Sequence, residues 1–212
     1  MGQDNLHKEP LLMTQTPFCR LAFRPLLGFF TFVSVLAFAV NLLADEPRKA
    51  QAEITEAEVN AAQQAWCDGL VKISKLHAEG GDYTKTASQL IDDLYDYKEG
   101  KVFFKPTLAF GKNTFRSTKA GALAYFVGGN PDFPEDSGFA LKHWVKCRYD
   151  NNAAENGIQI HGDVAITMGN VYLTNSKGDE VMVDKTFVFR KCSDGKLRLC
   201  VHKSALPFDP AK

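Results

Sequence analysis

The chain has no excess of either charge: 25 Lys and Arg stand against 25 Asp and Glu in 212 residues. Without a basic surplus there is little to displace counterions from a phosphate backbone, so no nucleic-acid partner is expected. Metal-binding spacings are missing as well. No CxxC, HxH or HExxH occurs, whereas a catalytic zinc asks for three protein ligands around an open position. No metal and no other cofactor is therefore expected. There are no repeats, and 45% hydrophobic with 24% charged residues is the composition of an ordinary folded domain.

One long uncharged run is present, LLGFFTFVSVLAFAVNLLA from Leu26 to Ala44, behind Arg20 and Arg24. A basic stretch, an apolar stretch and a small residue before Asp45 and Glu46 read as a secretory signal, with Met13 a natural start and export to the periplasm or medium as the destination. The alternative is an uncleaved membrane anchor, because the run reaches the roughly 17–25 residues of a span. Residues 45–52 then read as a linker and 53–212 as one domain. Cys67, Cys147, Cys192 and Cys200 fall in that domain, and their pairing is not readable from sequence.

The domain opens with helices. Thr55 and Glu58 form a capping-box pattern, and Val59, Ala62, Trp66, Leu70 and Ile73 recur at helical spacing up to Gly80-Gly81. TASQLIDDLYDYKEG predicts a second helix ending at Gly100, with Asp92, Asp93 and Asp96 on a solvated face rather than on a metal. STKAGALAYF predicts a third, capped by Ser117 and closed by Gly128-Gly129. Four β-type runs follow: GFALKHWVKCRYD, GIQIHGDVAITMGNVYLTN, EVMVDKTFVFRK and KLRLCVHKSALPF. Turns at Ser176-Lys177-Gly178 and Ser193-Asp194-Gly195 make the last three an antiparallel meander. The fold class is α+β, with a curved antiparallel sheet forming a cone around a long N-terminal helix.

Chemistry is sought on the sheet face toward that helix. Strict alternation on the last strand puts Leu197, Leu199 and Val201 on one side and Arg198, Cys200, His202 and Ser204 on the other. His202 and Ser204 then share a face, about 7 Å apart. Cys200 and His202 are the one pair of metal-type ligands that alternation brings together, too few for a zinc site.

VHKSALPF resembles the HHSSLP signature of the iota-class carbonic anhydrases, a family of cone-shaped domains related to nuclear transport factor 2 and the association domain of calcium/calmodulin-dependent kinase II. FFKPTLAF, ALAYFVGG, EDSGFA, the tryptophan of KHWVKCRYDN and AITMGNVYLT match family landmarks in the same order. The resemblance implies a metal-free hydration of carbon dioxide to bicarbonate, a homodimer, and a pocket built from Thr107 in KPT, Tyr125 in AYF, His202 and Ser204. Lys203 and Ala205 depart from the signature, and by alternation both point away from the pocket.

These residues suit the chemistry. A tyrosine with a reference pKa of about 10 makes Tyr125 a neutral donor, and the hydroxyls of Thr107 and Ser204 can hold water or bicarbonate. His202 is the candidate base: moving a proton from water to imidazole costs about 12.5 kcal/mol, compatible with thousands of turnovers per second. Its other reading is an orienting partner for Tyr125 or Ser204. A competing function is a non-catalytic association or small-ligand module on the same fold. An isomerase would need an acidic base, and Asp163 and Asp184 lie opposite the apolar sides of their strands. A dimer contact is expected on the outer sheet face, at Leu197, Leu199 and Val201.

Overall fold

The computed structural model describes residues 53–155 and 157–210. The apolar run at 26–44 and the linker at 45–52 lie outside the described residues.

Helix α1 (Glu56–Ala78) starts where its cap dictates. The Thr55 hydroxyl accepts from the Glu58 amide, and the Glu58 carboxylate accepts from the Thr55 amide at 2.8 Å. It stops at Gly80, which has φ +72°. The Gly80 and Gly81 amides return to the carbonyls of His77 and Leu76, the bond pair of a Schellman end. Val59, Trp66, Leu70 and Ile73 are buried as one stripe.

Helix α2 (Tyr83–Leu94) is capped by Asp82 and ends well short of Gly100. The helical expectation fails there because Tyr95 turns to extended backbone and bridges Leu199, and the Asp96 amide donates to the Leu199 carbonyl at 3.0 Å. Asp96 is thereby carried inward, 1% exposed and paired with Arg190. Asp92 and Asp93 stay nearer solvent. Helix α3 (Lys119–Val127) is capped by Thr118, one residue later than expected, whose hydroxyl accepts from the Gly121 amide.

Six strands form the sheet among the described residues: β1 (Phe103–Lys105), β2 (Trp144–Asp150), β3 (Ile158–His161), β4 (Val164–Asn175), β5 (Glu180–Lys191) and β6 (Leu197–Ala205). The order is β1-β6-β5-β4-β2, with β3 on the remaining length of β4. The β4-β5-β6 meander follows the sequence pattern. Two features differ. The run from Gly157 breaks at Gly162-Asp163 into β3 and β4, leaving Asp163 in the turn, and β1 adds a parallel edge to an otherwise antiparallel sheet. The class is α+β, with α1 packed on the sheet.

Strand β6 carries a bulge that overturns strict alternation. Val201 faces Val188 and Leu199 faces Phe189, so Cys200 is an extra residue and the side-chain phase flips across it. Leu197, Leu199, His202 and Ser204 consequently share the inner face, all buried. Leu197 and Leu199 are core and cannot form a dimer contact. Cys200, its thiol donating to the Val188 carbonyl, is separated from His202. A disulfide between Cys67 and Cys147 ties α1 to β2.

Candidate active site

Three segments converge under α1. Phe104 lies level with His202 and Lys105 with Lys203, because β1 runs parallel to β6. Pro106 then turns the chain so that Thr107 reaches back over the end of β6. Its hydroxyl donates to Ser204 Oγ at 2.7 Å. Lys105 Nζ staples the turn by donating to the carbonyls of Ser204 at 3.0 Å and Thr107 at 3.4 Å. Tyr125, on α3, accepts the Leu108 amide at 3.4 Å, and its hydroxyl also pairs with the Thr107 side chain. Thr107, Tyr125, His202 and Ser204 are thus brought into one buried cluster.

The cluster has a further member that sequence reasoning missed. Lys185, on the inner face of β5, is 1% exposed. Its Nζ lies 3.0 Å from His202 Nε2 and 3.2 Å from Ser204 Oγ. It also stands 4.4 Å above the Trp66 ring. Burial pushes this amine down to about 7, since removing water penalises the charged form. Alternation of Val183, Lys185, Phe187 and Phe189 on one face was the available signal: a lysine in an apolar stripe is either charge-paired or functional.

His202 has neither ring nitrogen free. Nδ1 lies 2.8 Å from the Tyr95 hydroxyl, which in turn accepts from Trp66 Nε1 at 3.0 Å. Phe104 stacks on the imidazole with ring centres 4.4 Å apart, and Phe187 meets it edge-on at 4.6 Å. This apolar jacket, with Lys185 beside it, holds the His202 pKa well below its ordinary value. Tyr125 is displaced the other way, its phenol kept protonated by burial. Tyr95 and Trp66 were invisible as site residues, one assigned to a helix and the other to a plain core stripe.

The donor set does not suit a metal ion. It holds one imidazole with both nitrogens engaged, an amine and three hydroxyls, while structural and catalytic zinc select thiolate, imidazole and carboxylate. Among the described residues the grouping with metal-type ligands is Asp96, Glu99 and Cys192. There Asp96 is already taken by Arg190.

Residues 57–206 match the metal-independent carbonic anhydrase family, a span that contains every residue of the cluster. The chain belongs to the metal-independent carbonic anhydrase family. A relative of that name from Nostoc sp. (strain PCC 7120 / SAG 25.82 / UTEX 2576) is 51% identical over 158 residues, covering 74% of this chain and 75% of its own. The crystal structure of a cyanobacterial iota-carbonic anhydrase complexed with bicarbonate is 50% identical, with a TM-score of 0.71 over 74% of this chain and 94% of that one. The signature departures of this family member lie outside the cluster: Lys203 is exposed and ion-paired with Asp184 at 2.5 Å, and Ala205 faces the same side.

Proposed function

We propose that this protein catalyses the reversible hydration of carbon dioxide to bicarbonate without a metal, at the cluster of Thr107, Tyr125, Ser204 and His202. Water oxygen bonds to the carbon of carbon dioxide, one C=O electron pair moves onto oxygen, and the attacking water gives up one proton to solvent, leaving bicarbonate. The Thr107 and Ser204 protons are given to Ser204 Oγ and to the Asp184 carbonyl, so Thr107 offers its remaining lone pair to the attacking water. The Tyr125 phenol, kept protonated by burial, is the donor that meets charge as it forms on a carbon dioxide oxygen and lowers that barrier. The observation that carries the reading is the 2.7 Å contact between Thr107 and Ser204 at the foot of a buried imidazole and amine. Both hydroxyls belong to one fixed array, so reorganisation during the reaction is small.

His202 acts as an orienting group rather than as the base that meets water, because both its nitrogens are occupied and its jacket keeps it neutral. An association module alone would gain nothing from this arrangement. Burying an amine, an imidazole and three hydroxyls costs stability relative to an apolar core, and such a cost is retained where chemistry needs it.

The test is stopped-flow carbon dioxide hydration with a pH indicator. Ser204→Ala and Thr107→Ala each remove one hydroxyl and little volume, and each is expected to lose at least tenfold in rate, about 1.4 kcal/mol. Near-normal rates in both folded variants would overturn the assignment of the site.

We read residues 1–44 as an export signal and 45–52 as a linker, the domain then working outside the cytoplasm. The Cys67–Cys147 disulfide supports an oxidising compartment. A homodimer is supported by the apolar outer face of β4, where Ile166 and Met168 are exposed.

A further inference from the structure

We infer that Lys185 is held as a neutral amine by a one-way chain of hydrogen bonds beginning at Trp66, and that its charge state switches the hydration site on and off. The inference rests on the function proposed above and extends it to a positioning residue that acts through Ser204 and His202.

The direction of the chain follows from its first donor. An indole N–H can only donate, so the Tyr95 oxygen receives Trp66 Nε1 at 3.0 Å. The Tyr95 hydroxyl has one proton to place, and the acceptor beside it is His202 Nδ1 at 2.8 Å. An imidazole that accepts at Nδ1 in its neutral form carries its proton on Nε2. That proton faces Lys185 Nζ at 3.0 Å, where only the lone pair of an uncharged amine can receive it. Lys185 in turn donates to Ser204 Oγ at 3.2 Å, which also receives Thr107 and donates to the Asp184 carbonyl at 3.1 Å. Every proton along the chain from Trp66 to the Asp184 carbonyl then has a lone pair to meet, and the second proton of the amine has the Trp66 ring, 4.4 Å from Nζ, beside it.

Protonating Lys185 breaks this order. An ammonium has no lone pair, so its proton would confront the proton on His202 Nε2. Moving the His202 proton to Nδ1 relocates the conflict to Tyr95, which would then receive two donors and have its own proton to place in an apolar surround. The site therefore has a coherent form with Lys185 neutral and a frustrated one with Lys185 charged. The orientation of Thr107, which is fixed by its donation to Ser204 Oγ and leaves a Thr107 lone pair toward the reactants, belongs to the first form.

The surroundings agree. His202 faces Lys185 from β6 and Trp66 from α1; Tyr95, after α2, reaches it through His202, and Tyr149 of β2 donates to the Lys185 carbonyl. Lys105 of β1 approaches the Ser204 carbonyl, while Asp184 and Lys203 pair with each other outside. Burial moves the amine to about 7, whereas His202 stays neutral far below that pH and Tyr95 and Tyr125 stay protonated above it.

The experiment has two arms. In the first, 15N-lysine NMR on the whole chain follows Lys185 through a pH titration, assigned by its loss in Lys185→Met. A titration near pH 7 is expected. Trp66→Phe keeps a ring and removes the indole donor that starts the chain, so Tyr95 becomes free to accept, the ammonium is tolerated, and the titration should move to higher pH by about one unit. In the second arm, the wild-type hydration rate should fall as pH drops through the same titration, and the acid limb should move upward with it in Trp66→Phe. Lys185→Arg, permanently charged, should lose about a hundredfold or more at every pH. Lys185→Met should keep more activity than Lys185→Arg and show no acid limb near 7. A Lys185 that titrates near its ordinary value, or an acid limb unchanged in Lys185→Met, overturns the inference. Those outcomes leave the proposed function standing if Ser204→Ala still loses activity, whereas a wild-type protein without hydration activity removes the function itself while the NMR arm still decides the charge state.

Discussion

Arg116 and Lys185 are both about 1% exposed, yet they are buried on different terms. Arg116 Nη2 donates to both carboxylate oxygens of Asp136, at 2.9 and 3.0 Å, with Glu135 at 3.6 Å and the Phe133 ring 4.5 Å from the guanidinium carbon. Lys185 meets an imidazole and a hydroxyl instead. A guanidinium cannot shed its charge, so it must be brought inside with a counter-charge. An amine can lose its proton, and a pocket without a carboxylate makes it do so. The first arrangement is scaffold that fastens the loop before α3 to the loop after it. The second spends stability on a chemical state, which is the mark of a working site.

The sharpest way to break this comparison is to make both cations methionine. Arg116→Met strands Asp136, whose carboxyl is already raised by burial, and should cost about 3–5 kcal/mol in urea unfolding at neutral pH. The loss should shrink in acid, where Asp136 is neutral in both states. Lys185→Met should do the opposite. In the folded protein Lys185 binds its proton only below about 7, whereas the unfolded chain holds it up to about 10.4. Between those values the unfolded state carries more protons, so wild-type stability rises with pH through the window. Below it, Lys185→Met should be the more stable protein by up to roughly 5 kcal/mol, the advantage fading toward pH 10. A destabilised Lys185→Met with a tolerated Arg116→Met would reverse the interpretation of both sites.

A smaller effect separates the same two regions. The Cys67–Cys147 bridge fastens α1 to β2 next to Trp66, the residue beneath Lys185. Arg116 is held by the segment around Asp136 and by Phe104 and Tyr97, without α1. Replacing both cysteines by alanine should cost about 2–4 kcal/mol. Amide exchange should accelerate first along α1 and the facing part of β5, with the Arg116 loop protected longer. Equal loss in both regions would show that they unfold as one unit.

How much of this was readable from sequence differs by the range of the forces involved. The α1 cap and stop are local, fixed by Thr55, Glu58 and Gly80, and the pattern of apolar residues displays them. The meander is nearly as local, set by turns at 176–178 and 193–195. The gathering of Thr107 with Ser204 was accessible only through resemblance, because it depends on a parallel pairing between residues about a hundred apart, for which a three-residue strand offers no periodic signal. The bulge at Cys200 was hidden for a related reason. Alternation assumes an unbroken ladder, and one extra residue reverses every inference beyond it. That reversal put Leu197 and Leu199 on the wrong face while leaving His202 and Ser204 correctly together, since both lie on the same side of the bulge. Lys185 was legible in principle from its place between Val183 and Phe187. Tyr95 was not, because a bridge to Leu199 took it out of a helix that its own sequence favours.

The weakest expected effect concerns the two departures from the family signature, on the outer face opposite the buried amine. Lys203 is exposed and paired with Asp184, both ends open to solvent, where such a pair contributes little. Ala205 stands across from Asp184 on the neighbouring strand. Changing Lys203→His and Ala205→Ser together should alter the hydration rate by less than threefold, under about 0.7 kcal/mol. One route inward is through the backbone, because the Asp184 carbonyl accepts the Ser204 hydroxyl, and a shift of that carbonyl would turn the hydroxyl in the site; the other is the charge of Asp184, which favours the protonated Lys185 amine. A large rate change with Lys185 titrating as before would locate the effect in that carbonyl. A large change accompanied by a moved Lys185 titration would mean that the outer ion pair, and not burial alone, sets the charge of the amine, and the contrast with Arg116 would then be one of distance to a carboxylate rather than of kind.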